Sequence, residues 1–340
     1  MILLKLLLGL APVFLFLASL VYLDSYKLVP LRRTLATIGI GCIAAGICLA
    51  LNSWMLSAIF HNAKMYSRYL APIFEETAKG AFVLYLVYSR RVGFMVDAAV
   101  TGFALGAGFA FVENIYYLYN LPDSNLALWF VRGCGTAAMH GATTAILGII
   151  AKVFFDKNPT RYLLVAVSGL IPAVFLHSLF NHFILPPLWS TLAVLTVFPV
   201  LLVLVFEQSE KVTRHWLGEG LDADLELLDL ILTGKITETR IGQYLESLRD
   251  KFEATVVADM LCLLRLHAEL ALQAKGMMLS QQAGLSIVPD PELEANLAEM
   301  SYLEKSIGKT GKLAISPFLR GGTREIFQIK LLLSQQGKKT

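Results

Sequence analysis

Over its first 206 residues this chain shows neither the alternation of a half-buried strand nor the three-and-four spacing of a soluble helix. Its apolar positions run on for about 20 residues at a time, enough to cross a bilayer as helix. About seven such stretches are expected, 2–23, 34–58, 67–88, 93–118, 127–154, 162–184 and 188–206. From Glu207 the pattern changes. Asp222–Thr233, Thr237–Phe252, Thr255–Gln282 and Glu292–Ser306 place apolar residues three and four apart, with Pro289-Asp-Pro291 breaking the chain before the last. Thr237 or Thr239 is placed to cap a helix of this tail. The expected fold is therefore all-α: a polytopic membrane helix bundle over 1–206, followed by a helical soluble region over 207–340.

Composition agrees, with 56% hydrophobic and only 16% charged residues among 340. A net charge of +3 is too small to argue for a nucleic-acid partner. The first stretch is long enough to span and lacks a small-residue cleavage site, so it reads as a retained helix. Basic residues favour alternate loops: Lys27, Arg32 and Arg33, then Arg90 and Arg91, then Lys152, Lys157 and Arg161. The segments 120–125 and 184–188 carry none. Positive loops stay cytoplasmic, which puts the N-terminus outside and the tail inside. Lys64 and Arg68, in an outer loop, are discordant. Cys42, Cys48, Cys134 and Cys262 show no metal-ligand spacing and read as packing residues. Gly308-Lys-Thr-Gly-Lys312 lacks the spacing of a phosphate loop and no strand precedes it. Gly102 and Gly106 form a GxxxG pair, and Gly133, Gly135, Ala137, Ala138 and Gly141 crowd the fifth span, which invites close helix contact.

Polar residues inside those stretches point to chemistry. A carboxylate at mid-bilayer costs about 2.5–3.5 kcal/mol on insertion scales, yet the third span carries Glu75, Glu76 and Lys79. The fourth has Phe109 and Glu113 one turn apart, with Asn114 next; the fifth has His140; the sixth has His177 and Asn181 on one face. Counted from the outer ends of their spans, all lie roughly 5–20 Å deep. Carboxylate and imidazole together activate water and stabilise a developing oxyanion. Glu75 or Glu76 is expected to be the base, with His140 and His177 positioning water and Asn181 donating to the oxyanion. Lys79 would balance charge and Glu113 would order the site. No serine or cysteine has an evident base partner, so water is the expected nucleophile. No metal ligand is assigned and no cofactor is required, although metal dependence stays open: there is no HExxH, and adjacent glutamates are an awkward spacing for one ion.

Glu75-Glu76-Thr-Ala-Lys79, then Phe109–Glu113–Asn114, His140 and the His177–Asn181 pair, resemble in kind and order the motifs of the PrsW-type intramembrane proteases. These belong to a wider group that includes the CAAX prenyl endopeptidases. The resemblance covers about residues 60–185. It implies a glutamate-dependent peptidase of a bacterial cell membrane, acting on a membrane protein of the anti-sigma-factor class and cutting it on the outer side. Lys79 falls one residue earlier than the CAAX pattern requires, and Glu113 stands where that pattern has histidine, so prenyl specificity does not carry over. The tail lies outside the resemblance, which leaves a cytoplasmic partner or a regulatory role open. Two other readings use the same residues: a proton-coupled transporter, and a binding protein whose polar cluster only fixes helix packing.

Overall fold

The computed structural model describes residues 2–23, 29–282, 285 and 292–319. Lys27 and the Pro289-Asp-Pro291 break lie outside them. The described residues contain helices and no strand, and they fall into two compact units, Met1–Ser209 and Glu210–Thr340.

The first unit contains α1 (Ile2–Leu23), α2 (Leu31–Ala58), a single turn α3 (Ala63–Met65), α4 (Ala71–Tyr88), α5 (Met95–Asn120), α6 (Leu126–Phe130), α7 (Ala137–Lys157), α8 (Tyr162–His182) and the first part of α9 (Pro187–Leu232). Six helical stretches are long and apolar enough to cross a membrane: α1, α2, α5, Leu126–Lys157, α8 and α9. The protein is an integral membrane protein. The remaining expected span, 67–88, falls on α4, whose 18 residues include Glu75, Glu76 and Lys79. Its charges are tolerated because α4 packs against α2, α5, α7 and α8.

The centre of the bundle is the α5–α7 pair, and small residues explain its closeness. A Cβ on Gly106 would stand 2.3 Å from the His140 carbonyl oxygen, and one on Gly102 would stand 2.5 Å from that of Thr144. Only glycine lets these backbones meet, as GxxxG contacts in membranes require. Beside this seam Phe103 stacks on Phe16 and Phe198, at ring separations of 4.9 and 5.7 Å, joining α5 to α1 and α9.

Two spans are not α-helical throughout. Tyr66–Leu70 and Val131–Thr136 are π-helical and lead into α4 and α7. Both lie at the same end of the bundle as the turns after α2, α5 and α8. At the opposite end Arg33 donates to the Arg91 carbonyl and Lys152 pairs with Asp156. The discordant Arg68 has a structural reason: its guanidinium donates to the His182 carbonyl at the C-terminus of α8, a group no residue of the helix satisfies.

The second unit takes the rest of α9, a 3-10 turn Lys235–Glu238, α10 (Arg240–Ser247), α11 (Ala254–Gln282), α12 (Leu293–Ser306) and α13 (Gly308–Ile315). Thr239 caps α10, accepting from the Gly242 amide. Met260, Leu263, Leu264, Leu293 and Ile315 lie at the centre of its core. Gly308 opens α13 at φ +65°, so the 308–312 glycines serve a helix start and not a phosphate loop.

Candidate active site

The polar residues singled out in the spans come from four helices, α4, α5, α7 and α8, and the α5–α7 seam draws most of them together. Glu75 and Glu76 follow each other on α4, so their side chains diverge by about 100°. That divergence divides their roles. Glu76 is fully buried and its Oε1 accepts from Lys79 Nζ at 2.6 Å and from Thr143 Oγ1 at 3.2 Å, with His177 Nδ1 at 2.7 Å. Glu75 faces a cavity instead, where Asn52 Nδ2 donates to its Oε1 at 3.0 Å and His177 Nε2 lies 3.8 Å from its Oε2.

His140 stands between the second pair of charges. Lys79 Nζ is 3.2 Å from its Nδ1, and Glu113 Oε2 is 3.0 Å from its Nε2. An ammonium only donates, so Nδ1 is the acceptor and a neutral ring carries its proton on Nε2, directed at Glu113. The His140 and His177 rings meet edge to face at 4.8 Å. Phe109 packs against His140 at 5.1 Å and lies under the Lys79 ammonium at 4.8 Å. It lines the cavity beside the ion pair.

The cavity holds about 290 Å³ and is lined by Glu75, Phe109, Glu113, His140, His177 and Asn181 among others. Asn52, Tyr66, Ser67, Tyr116 and Tyr117 place it at the end of the bundle that carries the π-helical segments. Asn181 commits one amide hydrogen to the Ser67 carbonyl. Asn114 does not reach the cavity: its amide donates to the Gly9 carbonyl and its oxygen accepts from Arg132 Nε. Lys79 is likewise behind the wall, neutralising Glu76.

Sequence reading missed Asn52, Tyr66, Arg132 and Thr143. Tyr66 Oη donates to Asn52 Oδ1, which orients the amide that holds Glu75. Arg132 lies with its guanidinium carbon 3.8 Å from the Tyr117 ring centre and places Nη2 3.4 Å from Glu113 Oε2. Tyr66 and Arg132 both sit in the π-helical segments, which often mark functional sites. The only signal in sequence was Arg132 itself, a cation inside an apolar span.

The donor set also fits a metal. Glu75, His140 and His177 each bring one ligand atom, and these lie within 4.8 Å of one another in a buried setting. Two imidazoles and one carboxylate are a donor set of catalytic zinc. Glu76 supports one of them as metal-ligating histidines require, taking Nδ1 of His177 so that Nε2 points to Glu75. The adjacent glutamates had argued against an ion, but only one of the two turns toward it. Coordination through His140 Nε2 would need the other tautomer, with the ring proton on Nδ1 and the Lys79 ammonium no longer donating to that nitrogen.

The model of the PrsW family intramembrane metalloproteases matches residues 29–206, more than half of the chain, and the chain belongs to that family. No curated protein and no solved structure matches it. The family's description as metalloproteases stands against the expectation of a glutamate-type enzyme without a metal ligand, and it accords with the donor set.

Proposed function

We propose that this PrsW-family membrane protease cleaves its substrate with a divalent cation, zinc by donor type, held by Glu75, His140 and His177. The observation that carries the reading is the convergence of those three groups on one cavity. A cation held there would polarise a peptide carbonyl and acidify water. Glu113 takes the water proton: it lines the cavity, its side chain is 16% exposed, and it already points at His140. Glu76 cannot serve, since it is fully buried and committed to Lys79, Thr143 and His177. It holds His177 in orientation while Lys79 balances its charge. Asn52 fixes Glu75, and Asn181 has an amide hydrogen left for a substrate carbonyl.

The cavity sits at the bundle end where the turns after α5 and α8 carry no Lys or Arg, although Lys64 and Arg68 follow α2 at the same end. This supports an outer-side cut in a bacterial cell membrane, with the N-terminus outside and the tail in the cytoplasm. A single-pass membrane protein of the anti-sigma-factor class, cut in its outer juxtamembrane segment, is the substrate this reading favours. The test uses the full chain in proteoliposomes with such a polypeptide. Cleavage that a chelator abolishes and zinc restores is expected. Cleavage indifferent to chelation would return the base to Glu75 without a metal, and an uncut substrate with proton flux would favour a transporter.

A further inference from the structure

Arg132 has no part in the scheme above, yet it is the one cation among the described residues lining the cavity. It is 9% exposed, so its charge has been taken out of water at a cost that pairing alone repays only with good geometry. That geometry is incomplete. Nε donates to Asn114 at 2.9 Å, but Nη2, buried and 3.4 Å from Glu113 Oε2, makes no hydrogen bond. The side chain is nevertheless held firmly. Tyr117 stacks on its plane, and Asn114 is anchored in turn to the Gly9 carbonyl of α1. A fixed guanidinium with unused donors, one carboxylate oxygen away from His140, is arranged for an anion that is not yet there.

We infer that Arg132 binds the oxyanion that forms on the substrate carbonyl, a role that rests on the hydrolytic reading above. Water oxygen bonds to the carbonyl carbon, the C=O electron pair moves onto oxygen, and the water proton passes to Glu113. Arg132 N–H groups donate to that new O⁻. The pair then returns, the C–N bond breaks, and Glu113 delivers the proton to the leaving amine. Glu113 loses its negative charge as the oxyanion gains one, so the guanidinium changes partner without facing an unbalanced charge.

The test is binding of two probes to the full chain in detergent with zinc. One is a phosphinic peptide, whose tetrahedral P–O⁻ mimics the oxyanion; the other is the same peptide with a neutral hydroxyethylene group. Arg132→Gln is expected to weaken the phosphinic peptide by about 100-fold. Its affinity for the neutral peptide and for zinc alone should stay within about threefold of the wild type, because neither of them uses the guanidinium as an anion partner. Arg132→Lys, which keeps the charge at Glu113, is expected to recover about tenfold of the loss. Equal losses for both peptides would mean that Arg132 only props the cavity, and no loss for either would mean that it stays with Glu113; each overturns the inference. Wild-type protein that binds zinc but not the phosphinic peptide sinks it alone. Wild-type protein that binds neither sinks the hydrolytic reading as well.

Discussion

Each unit of this protein buries a lysine against a carboxylate, and the two pairs are built differently. In the second unit Lys275 Nζ meets Asp224 Oδ2 at 2.5 Å, joining α11 to α9 inside an aliphatic core. In the first, Lys79 and Glu76 also meet, at 2.6 Å, but Glu76 Oε1 is shared with His177 and Thr143, and Lys79 reaches on to His140. One pair joins two helices. The other is the base of a network that ends at groups facing a cavity. Burial of charge alone therefore does not mark a site; what marks it is hydrogen bonding that continues from the buried pair to side chains with capacity left over.

The largest expected effect strikes the end of that network. Glu113→Gln keeps shape and removes the base, so kcat should fall by about 10²–10⁴-fold with zinc content unchanged. Single removals separate the pairs less well, because Lys79→Met and Lys275→Met each strand a buried carboxylate and should cost about 3–5 kcal/mol by chemical denaturation. Double replacement separates them. Asp224→Leu with Lys275→Met should leave both stability and cleavage near wild type, since a buried pair replaced by apolar residues is often neutral. Glu76→Leu with Lys79→Met removes the acceptor of His177 and should lower zinc affinity by about 10–100-fold. Smaller still is Gly106→Ala, whose methyl would meet the His140 carbonyl at 2.3 Å. An overpacking penalty of about 1–3 kcal/mol is expected, with activity falling further than stability because His140 itself moves. Thr239→Ala, which uncaps α10 in the second unit, should cost about 1 kcal/mol and nothing in activity.

Much of this was legible in the chain. Apolar run length marked the spans, since hydrocarbon thickness fixes helix length, and GxxxG spacing foretold the α5–α7 seam. Glu75, Glu113, His140, His177 and Asn181 stood out because ionisable or strongly polar groups at that depth demand a reason. The roles were less readable. Which of Glu75 and Glu76 faces the cavity depends on the rotation of α4, which its neighbours set and periodicity in a nearly uniform apolar stretch does not. Asn114 looked like a site residue because it follows Glu113, yet one step along a helix turns it toward α1. Asn52 and Tyr66 were invisible for the opposite reason: a lone amide near a helix end and a tyrosine near a turn are ordinary until Glu75 is brought beside them. The π-helical segments that carry Tyr66 and Arg132 have no sequence signature, since one additional residue per turn leaves apolar content unchanged.

The most direct measurement is zinc bound per chain, by elemental analysis of the purified full-length protein after equilibrium dialysis against limiting zinc. One ion per wild-type chain is expected, and close to none in His177→Ala, with Asp224→Leu/Lys275→Met retaining its ion. A wild type that cleaves its substrate without a bound metal, or a His177→Ala chain that keeps the ion, would contradict the account.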